Sequence, residues 1–394
     1  SMSFGLLSCL CPSRQRQFFA HFRQRRTSKG NMQDQSPSPT TRNESAPKPN
    51  QGREPFLHRM ARRSLTVTLV FVLATLCTAC LPLLLLVAGV VDVLSPRRTR
   101  FAFCRGLLFF VSLLAMEAIA ICAVTLVWLL HLLRRNPQTF ERHNRSAQTL
   151  WSSTLYRIGE RLFSLRTHIE GAIPPPHPDA AQVAPLLVFV RHSSTADTVL
   201  PVLILANRGY RLRYVLKREL LFDPCLDIVG QRLRNCFVSR GGKDTDQDLR
   251  GVLDLATDMT SGDALVIYPE GTRFTAQKRE RTLARLRSHG PQDALTLAES
   301  LQHTLPPLQR GPLQLLRENQ RADLVLMAHC GLEPAGSLKE LLAGDLIGEQ
   351  VFIHFEHIPF AALPKDPDAQ RQFLSEKWRN IDAWIAAHKQ RDCG

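Results

Sequence analysis

A histidine followed five positions later by a carboxylate, His192-Ser-Ser-Thr-Ala-Asp197, is the stretch of this sequence best suited to chemistry. Imidazole takes and returns a proton near neutral pH, and a carboxylate on one ring nitrogen fixes the tautomer of the other. The spacing says how the two could meet. Five residues along a continuous helix turn the side chains about 140° apart, so they would not face each other. They can meet if His192 ends a strand or loop and Asp197 lies in the first turn of the next helix, with a serine or threonine closing that turn. His192 is then a candidate general base and Asp197 its orienting partner. A His and an Asp also fall at any one spacing by chance, so the surrounding elements have to carry the reading. Ser193 and Ser194 beside the histidine invite a nucleophile, but the chain holds no Gly-x-Ser-x-Gly elbow, and capping or structural hydroxyls are the simpler expectation.

The elements that would position the pair lie on both sides of it. The apolar run Leu186–Val190 delivers the histidine, and similar runs recur at Arg211–Leu216, Cys236–Ser239, Ala264–Tyr268, Leu324–Ala328 and Val351–Ile358. Helical patterns fall between them at Thr198–Ala206, Thr245–Thr260, Pro312–Asn319 and Asp368–Lys389. Short apolar runs alternating with helices predict an α/β fold, a mostly parallel central sheet flanked by helices. In the last helix Leu374, Trp378, Ile381 and Ile385 share one face, which is a packing stripe. Chemistry gathers at the carboxyl ends of parallel strands, and cations accumulate there. Lys217 and Arg218 follow the second run, Arg240 the third, and Glu270-Gly271-Thr272-Arg273 the fourth. Such cations suit a phosphate, by bidentate hydrogen bonds and by point charge. No nucleotide-type glycine loop and no metal constellation is evident, so no cofactor or metal is expected.

The 394 residues carry a formal charge of +15, which asks for an acidic partner, a membrane surface or nucleic acid. Nucleic acid is disfavoured because no aromatic platform or known motif accompanies the charge. Residues 1–63 hold twelve Lys/Arg against three Asp/Glu, and Thr27–Glu54 is rich in Ser, Pro, Asn and Gln. This segment reads as a basic, largely disordered tail, and its short apolar Leu6–Leu10 fragment predicts no secretory signal. Leu65–Val91 is uncharged over 27 residues, and Leu107–Leu133 is interrupted only by Glu117 and His131. About 20 apolar residues suffice to cross a bilayer, so 64–135 reads as a two-helix membrane anchor and 136–394 as the soluble portion.

Arg62 and Arg63 precede the first stretch, Arg97, Arg98, Arg100 and Arg105 separate the two, and Arg134 and Arg135 follow the second. Positive charge normally stays on the cytoplasmic side. The pair therefore either spans with its loop outweighed or inserts as a hairpin from one face, with Pro82 and Gly89 bending the first helix. Glu117 is expected to be protonated or turned toward a partner helix. Cys77 and Cys80 read as packing residues, and ten scattered cysteines suit a reducing compartment.

Taken in order, these blocks resemble the glycerolipid acyltransferases, the 1-acylglycerol-3-phosphate acyltransferase family in particular. His192-Ser-Ser-Thr-Ala-Asp197 resembles their H-x4-D motif, with Ser194 at the serine they often carry. Lys217-Arg-Glu219-Leu220 is similar to their K-x-E-L block and Phe237-Val-Ser-Arg240 to their F-I-D-R block. Glu270-Gly271-Thr272-Arg273 is their E-G-T-R motif without change, and Gln309-Arg310-Gly311 is similar to the lysine-lysine-glycine element that follows. There are departures. Ser239 stands for the usual Asp, Arg191 for the common Asn, Leu324–Met327 lacks the family proline, and the basic insert Phe274–Gln309 is longer than in compact bacterial members.

The resemblance implies a membrane-bound O-acyltransferase whose acyltransferase domain is 136–394. It would move a fatty acyl group from acyl-CoA or acyl carrier protein, a co-substrate rather than a cofactor, to the free hydroxyl of a lysophospholipid. Lysophosphatidic acid giving phosphatidic acid is the foremost expectation. His192 and Asp197 would be catalytic, and Lys217, Arg240, Arg273 and Arg310 would hold the acceptor's phosphate. Ser194, Glu219, Glu270, Gly271 and Thr272 would support the motifs. The location implied is the cytoplasmic face of a membrane, the inner membrane in a bacterium or an endoplasmic reticulum-like one in a eukaryote. The alternatives are an acyltransferase for another lysolipid headgroup and a non-catalytic lipid-binding protein on the same fold.

Overall fold

The apolar runs come together as one sheet with the histidine at the carboxyl end of its central strand. The computed structural model describes residues 54–95, 101–173, 184–239, 245–336 and 338–391, all within one compact unit that begins at Pro49. Helices α1 (Phe56–Ala79), α2 (Leu81–Leu94), α3 (Ala102–Arg134) and α4 (Pro137–Phe163) precede the sheet. Next come β1 (Arg166–Glu170), β2 (Leu186–Val190), α5 (Leu200–Leu205), β3 (Arg211–Lys217), α6 (Pro224–Arg232), β4 (Cys236–Val238), α7 (Thr245–Thr257) and β5 (Asp263–Ile267). Helices α8 (Ala276–His289), α9 (Gln292–Ser300) and α10 (Arg310–Glu318) lead to β6 (Asp323–Cys330), α11 (Leu338–Ala343), β7 (Gln350–Ile358) and α12 (Pro367–Arg391).

The strand order is β1-β7-β6-β2-β5-β3-β4, and only the β6–β7 pair is antiparallel. All five residues of β2 are buried. Leu187 and Phe189 point to one face of the sheet, where Leu374, Trp378, Ile381 and Ile385 of α12 close the core. Leu186, Val188 and Val190 point to the other, against Tyr156 and Phe163 of α4 and Leu200 of α5. A strand covered on both faces shows no polar alternation, hence the continuous apolar run.

Strand β1 lies outside the sequence reading. It is an edge strand of sequence Arg-Thr-His-Ile-Glu, mostly exposed, and it offers no apolar run to read. Helices α4, α6, α8 and α9 were likewise not among the predicted helices. Helix α4 carries the local start signals, Pro137 in its first turn and an Asn136 side chain accepting the Thr139 N–H at 3.0 Å.

The first long apolar stretch is two helices rather than one. The chain breaks at Cys80 because Pro82, lacking an N–H, opens α2 and cannot continue α1. Helices α1 and α3 are each long and apolar enough to cross a membrane. Both are also tied to the sheet domain. Arg62 Nη1 and Arg63 Nε reach Oδ2 of Asp227 on α6 at 2.9 and 2.7 Å, and the Asp227 side chain is fully buried. Asp92 near the end of α2 accepts the N–H groups of Phe103 and Cys104, both at 3.0 Å, and so caps α3. Arg105 Nη1 donates to Leu162 O at the end of α4 at 2.7 Å, while Arg232 Nη1 of α6 donates to Val124 O at 2.8 Å. Residues 105 and 124 are separated by about 28 Å of helix, so α3 lies along the domain over much of its length. Glu117, between them, is buried; Cys225 Sγ of α6 lies 3.6 Å from its carbonyl oxygen. Its partner helix is thus one from the soluble portion.

Candidate active site

Strand β2 stops at Val190 and hands the chain to a loop whose backbone wraps the Asp197 carboxylate. The Ser193 and Ser194 N–H groups donate to Asp197 Oδ2 at 2.7 and 2.9 Å. In return Ser194 Oγ accepts the Asp197 N–H at 3.2 Å, closing the 3-10 turn Ala196–Val199 that leads into α5. His192 Nδ1 lies 3.0 Å from Asp197 Oδ1 and 3.2 Å from Oδ2. An ionised carboxylate can only accept, so Nδ1 carries the proton and Nε2 keeps its lone pair. The pair meets by the route that its spacing predicts, a loop histidine and a carboxylate in the following turn.

The surroundings set the electrostatics. Burial pushes the His192 imidazole below its ordinary value; Asp197 opposes this, and the charges of Lys217 and His329 push it lower still. Burial alone would raise Asp197, but hydrogen bonds from His192 and His329 overcome it and hold the carboxyl far below the usual range. The Tyr268 ring lies against the imidazole, centroids 4.6 Å apart.

Glu270 works on the backbone. Its Oε1 accepts the His192 N–H at 3.1 Å and its Oε2 the Leu305 N–H at 2.9 Å, bridging the histidine loop to the chain before α10. Burial pushes this carboxyl up to about 8, against the pull of Arg191 and of the two N–H donors. Gly271 has φ +66°, a left-handed conformation that favours glycine. Arg273 Nη1 donates to Thr195 Oγ1 at 2.9 Å and to the Gly336 carbonyl, which sets its guanidinium beside the His192–Asp197 loop. Lys278 Nζ, from the basic insert, donates to Thr272 Oγ1 and Arg273 O, each at 2.9 Å.

Of the other cations singled out from the sequence, Lys217 ends β3 close enough for its charge to act on His192. Arg310 begins α10 and pairs with Asp246 of α7, both side chains exposed. Among the described residues, no contact ties Arg310 to the pair. Glu219 is exposed in the 3-10 turn after β3. Arg240 lies outside the described residues.

The departures from the family blocks have structural partners. Arg191, fully buried, points away from the pair: Nη1 donates to His329 O and Glu333 Oε1 at 2.8 and 2.9 Å, and Nη2 to His303 O at 2.9 Å. Burial alone would raise the Glu333 carboxyl, but Arg191 and Lys389 hold it at about 2. Where the resemblance expects an aspartate, the Ser239 N–H donates at 2.7 Å to Asp248 of α7, so the carboxylate comes from a neighbouring helix. His329 and Glu333 were not predicted. The one available signal was a histidine ending the apolar run of β6, a buried polar group in a strand that neighbours β2.

An apolar cavity of about 510 Å³ opens beside this loop. Phe109 and Leu113 of α3, Tyr156 of α4, Val229 of α6 and Leu216 of β3 line it, and Thr195 and Ala196 belong to its wall.

Residues 176–308, which contain the His192 loop and the Glu270–Arg273 turn, match the Acyltransferase family model. That stretch, about a third of the chain, is similar to the acyltransferases. The chain is also similar to the Mus musculus protein named 1-acyl-sn-glycerol-3-phosphate acyltransferase epsilon, 23% identical over 211 residues. That match covers 50% of this chain and 56% of the relative, so the chain spans about half the length of the curated acyltransferase it matches.

Proposed function

We propose that this acyltransferase moves a fatty acyl group from a thioester donor, acyl-CoA or acyl carrier protein, to the free hydroxyl of a lysophospholipid, foremost lysophosphatidic acid. The observation that carries the reading is the His192–Asp197 pair with its free Nε2, set beside an apolar cavity and two cations. Nε2 removes the acceptor hydroxyl proton as that oxygen attacks the thioester carbonyl, and Asp197 steadies the imidazolium that forms. When the tetrahedral adduct collapses, the carbon–sulfur bond breaks and the leaving thiolate takes the proton back from Nε2. Lys217 and Arg273 hold the acceptor's phosphate, and the cavity between α3, α4 and α6 houses an acyl chain. No covalent acyl-enzyme is needed, which leaves Ser193 and Ser194 to their backbone roles.

The exposed apolar residues of α1–α3, among them Leu69, Phe71, Leu76, Leu86 and Val90, enter the bilayer. A hairpin embedded from one face fits better than a spanning pair. Helix α1 starts on the domain at Asp227, and the chain returns to it at Arg105, so Arg62, Arg63 and Arg105 stay on one side.

Labelled oleoyl-CoA offered with lysophosphatidate or with monoacylglycerol tests the acceptor. The phosphate-bearing lipid is expected to show a kcat/KM at least about tenfold higher, a factor matching the loss of one charge-assisted hydrogen bond. Equal use of the two would remove the phosphate reading of Lys217 and Arg273.

The pH profile tests the base. A base works when neutral, and a lowered imidazole pKa keeps it neutral into mild acid. The acid limb of kcat/KM should therefore centre below the ordinary histidine value of about 6.5. Lys217→Gln removes a nearby positive charge and should move that midpoint upward. A wild-type midpoint above 7, or one unmoved by the substitution, contradicts this electrostatic account.

A further inference from the structure

Asp197 is shared by two histidines, and only one of them has been given a task. Strand β6 runs parallel to β2 in a register that pairs Val190 with Met327, and the Arg191 N–H continues the ladder to Met327 O at 3.0 Å. That register brings His329 alongside the peptide that joins Arg191 to His192. His329 Nε2 lies 2.9 Å from the Arg191 carbonyl oxygen and 3.5 Å from Asp197 Oδ2, with both side chains fully buried. A carbonyl only accepts, so Nε2 must carry the hydrogen, and that hydrogen faces the carboxylate as well. Arg191 answers by donating to the His329 carbonyl at 2.8 Å. Side chain and main chain of the two residues are thus exchanged across the strand pair.

We propose that His329 is a positioning residue for the base, its Nε2–H clamping the Arg191 carbonyl and Asp197 Oδ2 so that Oδ1 stays on His192. The proposal rests on the acyl-transfer reading above, in which His192 is the group that touches substrate. Its physical content is a division of labour within one carboxylate. Oδ2 takes Ser193 N–H, Ser194 N–H and the His329 contact, while Oδ1 has His192 as its partner and is the nearer of the two oxygens to Nδ1, at 3.0 against 3.2 Å. Without His329, Oδ2 loses a donor on the side away from His192. The carboxylate can then rock toward the imidazole, and its undivided charge favours the imidazolium.

The groups facing His192 are Asp197 in its own loop, Lys217 at the end of β3, Tyr268 and Glu270 after β5, and His329 on β6. Those facing His329 are Asp197, His192, Arg191 and Glu333. Among the described residues, His329 is the one that approaches the Asp197 carboxylate from a strand, the other donors coming from the loop after β2.

The test is a pair of amides in the full-length protein. Glutamine reaches the position of imidazole Nε2 and keeps a donor there, whereas asparagine reaches only as far as Nδ1. Turnover of lysophosphatidate with oleoyl-CoA by the wild type, and its loss in His192→Ala, are established first; if either fails, the proposed function falls irrespective of His329. H329Q is then expected to retain kcat within about fivefold, and H329N to lose about 10- to 100-fold at unchanged KM. The acid limb of the H329N profile should also move to higher pH, because an imidazolium held more tightly by Asp197 titrates later. His329→Phe fills the same space without a donor and is expected to behave like H329N, so it serves if the asparagine variant does not fold. Equal activities in H329Q and the donor-less variants, or a loss of the same factor at every pH, overturn the proposal.

Discussion

His192→Ala is expected to lower acyl transfer roughly 10,000-fold while leaving the protein folded. General-base assistance supplies about a hundred- to ten-thousand-fold in such reactions, and no other described group stands ready to replace the lost nitrogen. Glu270 spends both oxygens on backbone N–H groups. Tyr268 lies against the imidazole but is pushed well above the ordinary tyrosine value by burial and by the charge of Asp197, so it makes no base near neutrality. The structural cost is small by comparison. The imidazole is buried but, among the described residues, makes no hydrogen bond beyond the Asp197 carboxylate, and losing its packing costs about 1–3 kcal/mol. The measurement is initial transfer rate against protein concentration beside a melting curve. A variant that stays within tenfold of wild type while melting normally would show that another group is the base.

Much of this site could be read in the sequence because family-like blocks sit where the physics also puts chemistry. The apolar run Leu186–Val190 announced a fully buried strand, and the five-residue step from His192 to Asp197 required a loop and a turn, which is what the backbone does. Arg273 was legible as a cation after a strand, and the structure sets it on Thr195. What stayed hidden depends on partners far apart in the chain. Arg191 looked like a substitution at the site, yet it is an internal strut whose partners His303, His329 and Glu333 lie more than a hundred positions away. His329 could not be joined to Asp197 without the β2–β6 register. The break at Cys80 was half legible, since Pro82 marks a bend but does not say that α2 turns back to cap α3 through Asp92. Strand β1 was illegible for a simpler reason: an exposed edge strand has no apolar face to advertise.

Asp197→Asn should be as damaging as outright deletion of the carboxylate, although it changes a single atom's chemistry. The backbone dictates how the amide must sit. Ser193 N–H and Ser194 N–H both aim at the Oδ2 position, from 2.7 and 2.9 Å, and His329 Nε2–H faces it from the other strand. Three donors cannot face an NH₂ group, so the amide oxygen takes that position and the amide nitrogen takes the place of Oδ1, 3.0 Å from His192 Nδ1. A donor at this nearer position opposes the Nδ1 proton, whose remaining acceptor is the amide oxygen at 3.2 Å, and so favours the tautomer with the proton on Nε2, the atom that should take the substrate's proton. The base is then present, in place and in the wrong tautomer, and the carboxylate charge that would steady the imidazolium is gone as well. A loss of roughly 1,000- to 10,000-fold in kcat follows by the reasoning that applies to His–Asp pairs in general. Asp197→Ala leaves the Ser193 and Ser194 N–H groups without an acceptor, so it should melt lower than the asparagine variant. Yet its imidazole is free to sample both tautomers, and per folded molecule it should be no less active. Ranking the two variants by activity and by melting temperature therefore separates tautomer control from simple stabilisation of the loop. An asparagine variant that is the more active of the two per folded molecule would mean that Asp197 only braces the turn.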